Sequence, residues 1–91
     1  MIRATDVARG TELTARDVVA IVTRGRLPPS SAACLGGYML HAHKGLQRVR
    51  EMMCDDIRAA LHADEIDRAR RLYATLRRFL SDHPEALQQA G

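Results

Sequence analysis

The middle of the chain carries apolar residues at intervals that would place them on one side of an α-helix. Between residues 30 and 61 they recur at intervals of 4-3-4-3-4, at Leu35, Met39, Ala42, Leu46, Val49 and Met53. An α-helix has 3.6 residues per turn, so these positions share one face. A parallel track that includes Tyr38 and Met52 widens this face. We expect a helix with so broad an apolar face to pack against more than one neighbouring element.

The boundaries of this segment predict one continuous long helix. Ser30 or Ser31 is suited to cap its N-terminus, and the pattern runs to about Leu61. Such a helix would be about 45 Å long. Gly36 and Gly37 weaken its first turns by about 1 kcal/mol each relative to alanine. They indicate either a frayed or bent start, or the close approach of another backbone.

A shorter helix is predicted from Leu13 to Gly25. Thr14 and Asp17 stand at the two positions of a capping box, with Asp in place of the usual Glu. Gly25 suits the left-handed position that ends many helices. Pro28 and Pro29 lack the backbone N–H that a continuing helix needs. These residues separate the short helix from the long one.

A third helix is predicted from Glu65 to about Leu80, antiparallel to the long one. Asp64 and Asp67 repeat the capping pattern at its start. Four arginines mark its polar face and rims, and they are Arg68, Arg71, Arg77 and Arg78. We expect this face to be solvated. Two other interpretations are a basic rim that meets an acidic protein partner and a contact with nucleic acid.

Together these elements predict a single all-α domain over residues 1–91. The chain has one Phe, two Tyr and no Trp among its 91 residues, so its core must be aliphatic. Residues 1–12 are expected to form a loose arm, and residues 82–91 a polar tail. One chain offers little to cover both flanks of the long helix. A homodimeric helical bundle, with two long helices packed antiparallel, would cover them.

Charge and cysteine content favour a soluble cytoplasmic protein. The net charge is +3, which neither demands nor excludes a nucleic-acid partner. No apolar run approaches the roughly 18 residues of a membrane span, and the N-terminus lacks a signal-peptide core. Cys34 and Cys54 would lie about 30 Å apart on one continuous helix. We therefore expect two reduced thiols that act as small apolar residues.

No set of residues in the sequence predicts catalysis. His41 and His43 are two positions apart, so on a helix they point in nearly opposite directions and cannot share a metal ion. The sequence contains no metal-binding, phosphate-binding or protease motif. We expect no cofactor, metal or small-molecule substrate. His41, Lys44 and Gly45 do resemble the His-x-x-Lys-Gly signature of histidine phosphotransfer domains, which implies a phosphoryl-accepting His41. The alternative is a solvated His41 on the polar side of the long helix.

The stretch from Val22 to Val49 resembles the TraM family of quorum-sensing antiactivators. In that family the turn reads Thr-Arg-Gly-Leu-Pro-Pro. This chain matches it from Thr23 to Pro29, with Arg26 as an insertion. A second short motif of the family, a histidine and a basic residue followed by Leu, matches His43, Lys44 and Leu46. The resemblance implies a helical homodimer without catalytic activity. Such a protein binds a LuxR-type transcriptional activator and blocks its dimerisation or DNA binding. The alternative is that the chain resembles a functional analogue such as QslA, which has the same kind of role.

Amphipathicity suggests which residues would serve this function. Candidate partner-binding residues are Tyr38, Met52, Met53, Arg70, Tyr73, Arg77 and Phe79. Candidate dimer or core residues are Leu35, Met39, Leu46 and Val49. A small helical chaperone or secretion-accessory protein would share the same features. It would bind an effector protein in place of a regulator. For the antiactivator itself we expect no direct contact with nucleic acid or membrane.

Overall fold

All regular structure in the part of the chain that is described, residues 13–87, is helical. This structure is a computed structural model. Four α-helices follow one another, and they are α1 (Ala15–Val22), α2 (Ala32–Met39), α3 (Leu46–His62) and α4 (Ile66–Asp82). Two short 3-10 turns accompany them, at Ala42–Lys44 and Pro84–Leu87. The all-α class is therefore confirmed, whereas the predicted arm over residues 1–12 and the end of the predicted tail, residues 88–91, lie outside the described residues.

The start of α1 is fixed by the predicted capping box. The Thr14 hydroxyl oxygen accepts a hydrogen bond from the Asp17 backbone N–H at 3.1 Å. The Asp17 carboxylate in turn accepts one from the Thr14 N–H at 3.1 Å. The helix ends at Val22, and Gly25 has a φ of +106°. This conformation favours glycine, so the predicted positive φ of Gly25 is confirmed, but the helix ends three residues before it and Gly25 turns the loop that leads to the two prolines.

The prediction of one long helix is wrong, because the chain turns between α2 and α3. Residues 40–45, which we call the hinge, contain the 3-10 turn and end at Gly45, with φ +103° and ψ +144°. This region of backbone space is almost exclusive to glycine. The Tyr38 hydroxyl donates to the Asp56 carboxylate at 2.5 Å. On a continuous helix these residues would be about 27 Å apart, so α2 must fold back to bring them together.

The junction between α3 and α4 also differs from the expected cap. Asp64 has a φ of +61° and lies just beyond the end of α3. The Glu65 N–H donates to the Ala60 carbonyl at 2.8 Å, and the Asp64 N–H donates to the Leu61 carbonyl at 3.1 Å. These two bonds form a Schellman motif that closes α3. No side chain caps α4, so the predicted role of Asp64 is wrong, although the third helix itself is confirmed.

The core is built around α4. This helix packs against α1, α2, α3 and the 3-10 turn at Pro84–Leu87. The largest fully buried side chains come from three helices, and they are Phe79, Ile21, Met53, Ile57, Val49 and Thr75. The apolar face of α3 meets α2, α4 and both 3-10 turns. It is thus covered by several elements of the same chain, and its width does not by itself require a second copy.

Candidate protein-interaction surface

Helix α2 lies at the surface although none of its residues carries a charge. Its sequence is AACLGGYM, and none of these residues is fully buried. One side packs on the core through the half-buried Leu35, Tyr38 and Met39. The other side is open to solvent, and we call it the α2 surface: Ala32, Ala33, Gly36, Gly37 and Leu40. Leu40 follows the helix directly and is 77% exposed.

The two glycines leave the α2 surface flat. A Cβ atom built on Gly36 or on Gly37 would meet nothing within 4 Å. Among the described residues, therefore, no other backbone approaches them, so the close approach that was one of the two interpretations is not seen in this part of the chain. Two glycines in a helix cost about 1 kcal/mol each relative to alanine. The distance between packed helices depends on the side chains at the contact, so this bare face would let another helix come close.

A shallow apolar groove runs beside α2 toward α4. Its walls include Leu35, Gly36 and Met39 on α2 and Arg78 on α4. The Arg78 guanidinium donates to the Asp82 carboxylate at 3.1 Å, and both side chains are exposed to solvent. An apolar centre with charged groups at its edge is the usual composition of a protein–protein interface.

Hydrogen bonds hold α2 at both ends. The Ser31 hydroxyl accepts from the Cys34 N–H at 3.0 Å, which confirms Ser31 as the cap. The Ser31 N–H donates to the hydroxyl of Thr75, a fully buried residue of α4, at 3.5 Å. At the other end, Tyr38 bonds to Asp56 on α3. Partial burial of Tyr38 and its bond to Asp56 raise the pKa of the Tyr38 hydroxyl. The surface is thus presented in a defined orientation.

Arg70 fixes the loop that leads into α2. One terminal nitrogen of its guanidinium donates to the Ile21 carbonyl at 2.6 Å. The other donates to the carbonyls of Gly25, at 3.5 Å, and Arg26. Only 8% of Arg70 is exposed. The prediction that Arg70 lies at the rim of a partner surface is wrong, because its donors are directed inward at backbone carbonyls.

Two further predicted anchors belong to the core. Met53 and Phe79 are fully buried, so neither is accessible to a partner in this conformation. Among the dimer or core candidates, Val49 is fully buried, whereas Leu35, Met39 and Leu46 are half-buried and pack against the core. Helical periodicity identified these residues as inward-facing, but it does not tell a core from an interface.

The remaining predicted residues differ in exposure. Arg77 is exposed, and Met52 and Tyr73 are half-buried. Tyr73 lines a different groove, between α1, α3 and α4, together with Leu13 and Val18. Tyr38 is the one member of the predicted partner-binding set that belongs to α2. The sequence did hold a signal for the α2 surface: no residue from Leu27 to Leu40 is charged.

The structure gives the surroundings of the two histidines near α2. His41 lies in the hinge and is half-buried, so it is neither on a helix nor on the solvated polar face that was expected. His43 Nδ1 lies 3.2 Å from the Leu40 carbonyl oxygen. Within residues 13–87, no group of three or more His, Cys, Asp or Glu side chains could hold a metal ion. Both cysteines in this range are free thiols.

Two further observations concern the similarity of the chain to known proteins and the length of its apolar helices. The chain matches no protein-family model, no curated protein and no solved structure. Its resemblance to the TraM family therefore rests on the residues of the Val22–Val49 stretch. None of the helices described is long and apolar enough to cross a bilayer.

Proposed function

We propose that this protein is a non-enzymatic antiactivator that works in the cytoplasm. Its partner in this proposal is a LuxR-type transcriptional activator, whose dimerisation or DNA binding it blocks. The observation that supports the proposal best is the α2 surface, an uncharged helix face that the other described residues leave open. The resemblance of the turn from Thr23 to Pro29 to the TraM family supplies the class of partner.

The composition of the α2 surface suits protein binding. The centres of protein interfaces are depleted in charged residues, and charged and polar groups lie at the rim. Leu40 offers an exposed apolar side chain, and Arg78 lies across the adjoining groove. Gly36 and Gly37 provide the flat area between them. A helix of the activator would pack across these glycines and cover Leu40.

The active form in this proposal is a homodimer. The TraM resemblance implies it, and a small chain gains stability from association. Light scattering at micromolar concentration would then give about twice the chain mass. A chain that remains a monomer at every concentration tested would contradict this part of the proposal and leave partner binding open.

The decisive experiment measures whether the protein removes a LuxR-type activator of its source organism from DNA. The activator is bound to its promoter DNA and titrated with this protein in a gel-shift assay. We expect loss of the shifted band near an equimolar ratio. Gly37→Glu places a charge in the centre of the α2 surface, where space is open, and should prevent that loss.

Ala59→Glu is the matched control, since it adds the same charge at an exposed position of α3. It should inhibit the activator as the unchanged protein does. Equal loss of inhibition in the two variants would show that the α2 surface is not the contact. If no LuxR-type activator loses DNA binding at any ratio, the function itself is wrong, and purification with an effector protein from native cells would favour the chaperone interpretation.

A further inference from the structure

The apolar pattern of the chain continues without interruption through a segment where the helix is broken. Met39, Ala42 and Leu46 follow one another at spacings of 3 and 4 across the hinge. We propose that the chain has a second state, a domain-swapped dimer. In that state α2, the hinge and α3 form one helix, and residues 13–39 of each copy pack on α3 and α4 of the other.

The sequence of the hinge permits this helix. Residues 40–45 read LHAHKG and contain no proline. A sequence that strongly breaks a helix would contain a proline here, or its apolar residues would shift to another face of the helix. The chain has neither, although it places two prolines together between α1 and α2. The apolar spacing that predicts a continuous helix is thus kept through the hinge, although the chain folds back there.

The break depends on one residue. The 3-10 turn is closed by two backbone bonds, from Lys44 N–H to the His41 carbonyl and from Gly45 N–H to the Ala42 carbonyl, both at 2.9 Å. A continuous helix would replace them with its own backbone bonds. What remains is the conformation of Gly45, which is almost exclusive to glycine. Any other residue at position 45 would favour the continuous helix over the break.

The occupant of the exchanged position is a second copy of this chain. Side-chain hydrogen bonds join residues before the hinge to residues after it. Tyr38 bonds to Asp56, Ser31 bonds to Thr75, and Arg70 donates to carbonyls of Ile21, Gly25 and Arg26. On a continuous helix Tyr38 and Asp56 are too far apart to bond within one chain. The same surfaces meet again when two copies exchange their first halves, so the swap preserves every one of these contacts.

Substitution of Gly45 tests the swap. Gly45→Ala strains the folded-back chain and favours the helix, so it should lower the dimer dissociation constant by about tenfold or more. Gly25→Ala is the matched control, because Gly25 also has positive φ but keeps the same loop in both states. It should leave the dissociation constant nearly unchanged. Light scattering over a concentration series measures both, and equal dissociation constants would overturn the proposal.

A disulfide then tells the swap from side-by-side association, since the proposal rests on the homodimer proposed above. Ser31→Cys and Thr75→Cys are combined with Cys34→Ser and Cys54→Ala, and the dimer fraction is isolated and oxidised with copper phenanthroline. A swapped dimer gives chains linked to each other on a denaturing, non-reducing gel. Disulfides within single chains would overturn the swap and leave the homodimer intact, whereas a monomer at all concentrations would contradict both.

A deletion covers the case in which Gly45→Ala does not fold. Removal of residues 42–44 shortens the hinge and leaves Met39 and Leu46 four positions apart, so the helical register of the apolar face is kept. The shortened chain cannot make the turn but can form the helix. We expect it to be an obligate dimer with the disulfide between chains. A folded monomer of this deletion variant would overturn the proposal.

Discussion

The guanidinium of Arg70 donates a hydrogen bond to the backbone carbonyl of Ile21, 49 residues earlier in the chain, at 2.6 Å. The same side chain also reaches the carbonyls of Gly25 and Arg26. It therefore satisfies a carbonyl in the last turn of α1, which has no partner within the helix, and two carbonyls of the loop that follows. Through this one side chain, the central helix sets the position of the loop that carries α2.

Arg70→Lys should destabilise the fold by about 2–3 kcal/mol. A lysine carries one ammonium group in place of the planar fork, so it cannot reach the separate carbonyls together. Those left without a donor lose charge-assisted hydrogen bonds in a buried place. Urea denaturation of the two proteins would measure the difference in the free energy of unfolding. Arg77→Lys, on the exposed side of the same helix, should change it by less than about 0.5 kcal/mol. Similar losses for both variants would contradict the structural role of Arg70.

The adjacent methionines Met52 and Met53 should differ in the same measurement. Met53 is fully buried, whereas Met52 is half-buried. Met53→Ala leaves a cavity in the core and should cost about 2–5 kcal/mol. Met52→Ala removes fewer contacts and should cost less. If Met52→Ala proved the more damaging, the orientation of α3 described above would be wrong.

The features that the sequence predicted correctly depend on neighbours in the chain. The capping box of Thr14 and Asp17 and the cap at Ser31 each involve residues three apart. Gly25 acts through its own backbone angles. Such features leave a signature in a few consecutive residues. For that reason the ends of α1 and the start of α2 were predictable.

The features that were missed depend on residues far apart in the chain. The hinge is invisible to periodicity, because the inward-facing spacing continues through it. The bond from Tyr38 to Asp56, which requires the fold-back, spans 18 residues. Arg70 was predicted at the rim of a partner surface, yet it donates to backbone carbonyls inside the protein. Arg50, for which the sequence made no prediction, does the same and donates to the Ala86 carbonyl at 3.1 Å. For the same reason the predicted partner-binding residues are spread over three helices, whereas the structure points to the uncharged face of α2.

Replacing the exposed glycines of α2 should stabilise the protein. At Gly36 and Gly37 an added methyl group meets open space, and alanine is the better helix former. We expect Gly36→Ala and Gly37→Ala each to add about 1 kcal/mol to the free energy of unfolding. Thermal or urea denaturation would detect this as a higher midpoint. A loss of stability would mean that another backbone already lies against these glycines.

The Tyr38–Asp56 bond should make stability depend on pH in the alkaline range. Partial burial and the bond to Asp56 raise the pKa of Tyr38 in the folded state above its usual value of about 10. The neutral hydroxyl is therefore favoured by folding. Its contribution is fully present below about pH 10 and is lost as the pH rises toward the folded-state pKa.

Urea denaturation between pH 8 and 11 would show this loss, and Tyr38→Phe should remove part of it, because phenylalanine has no proton to release. Tyr73→Phe leaves the bond between Tyr38 and Asp56 in place and should keep the full alkaline loss. Asp56→Asn should reduce it, since the neutral amide no longer disfavours the charged phenolate by its own negative charge. Equal loss of stability by Tyr38→Phe and the unchanged protein over this range would mean that Asp56 does not hold the Tyr38 hydroxyl in its neutral form. The contact that anchors the end of α2 would then have to be assigned to other residues.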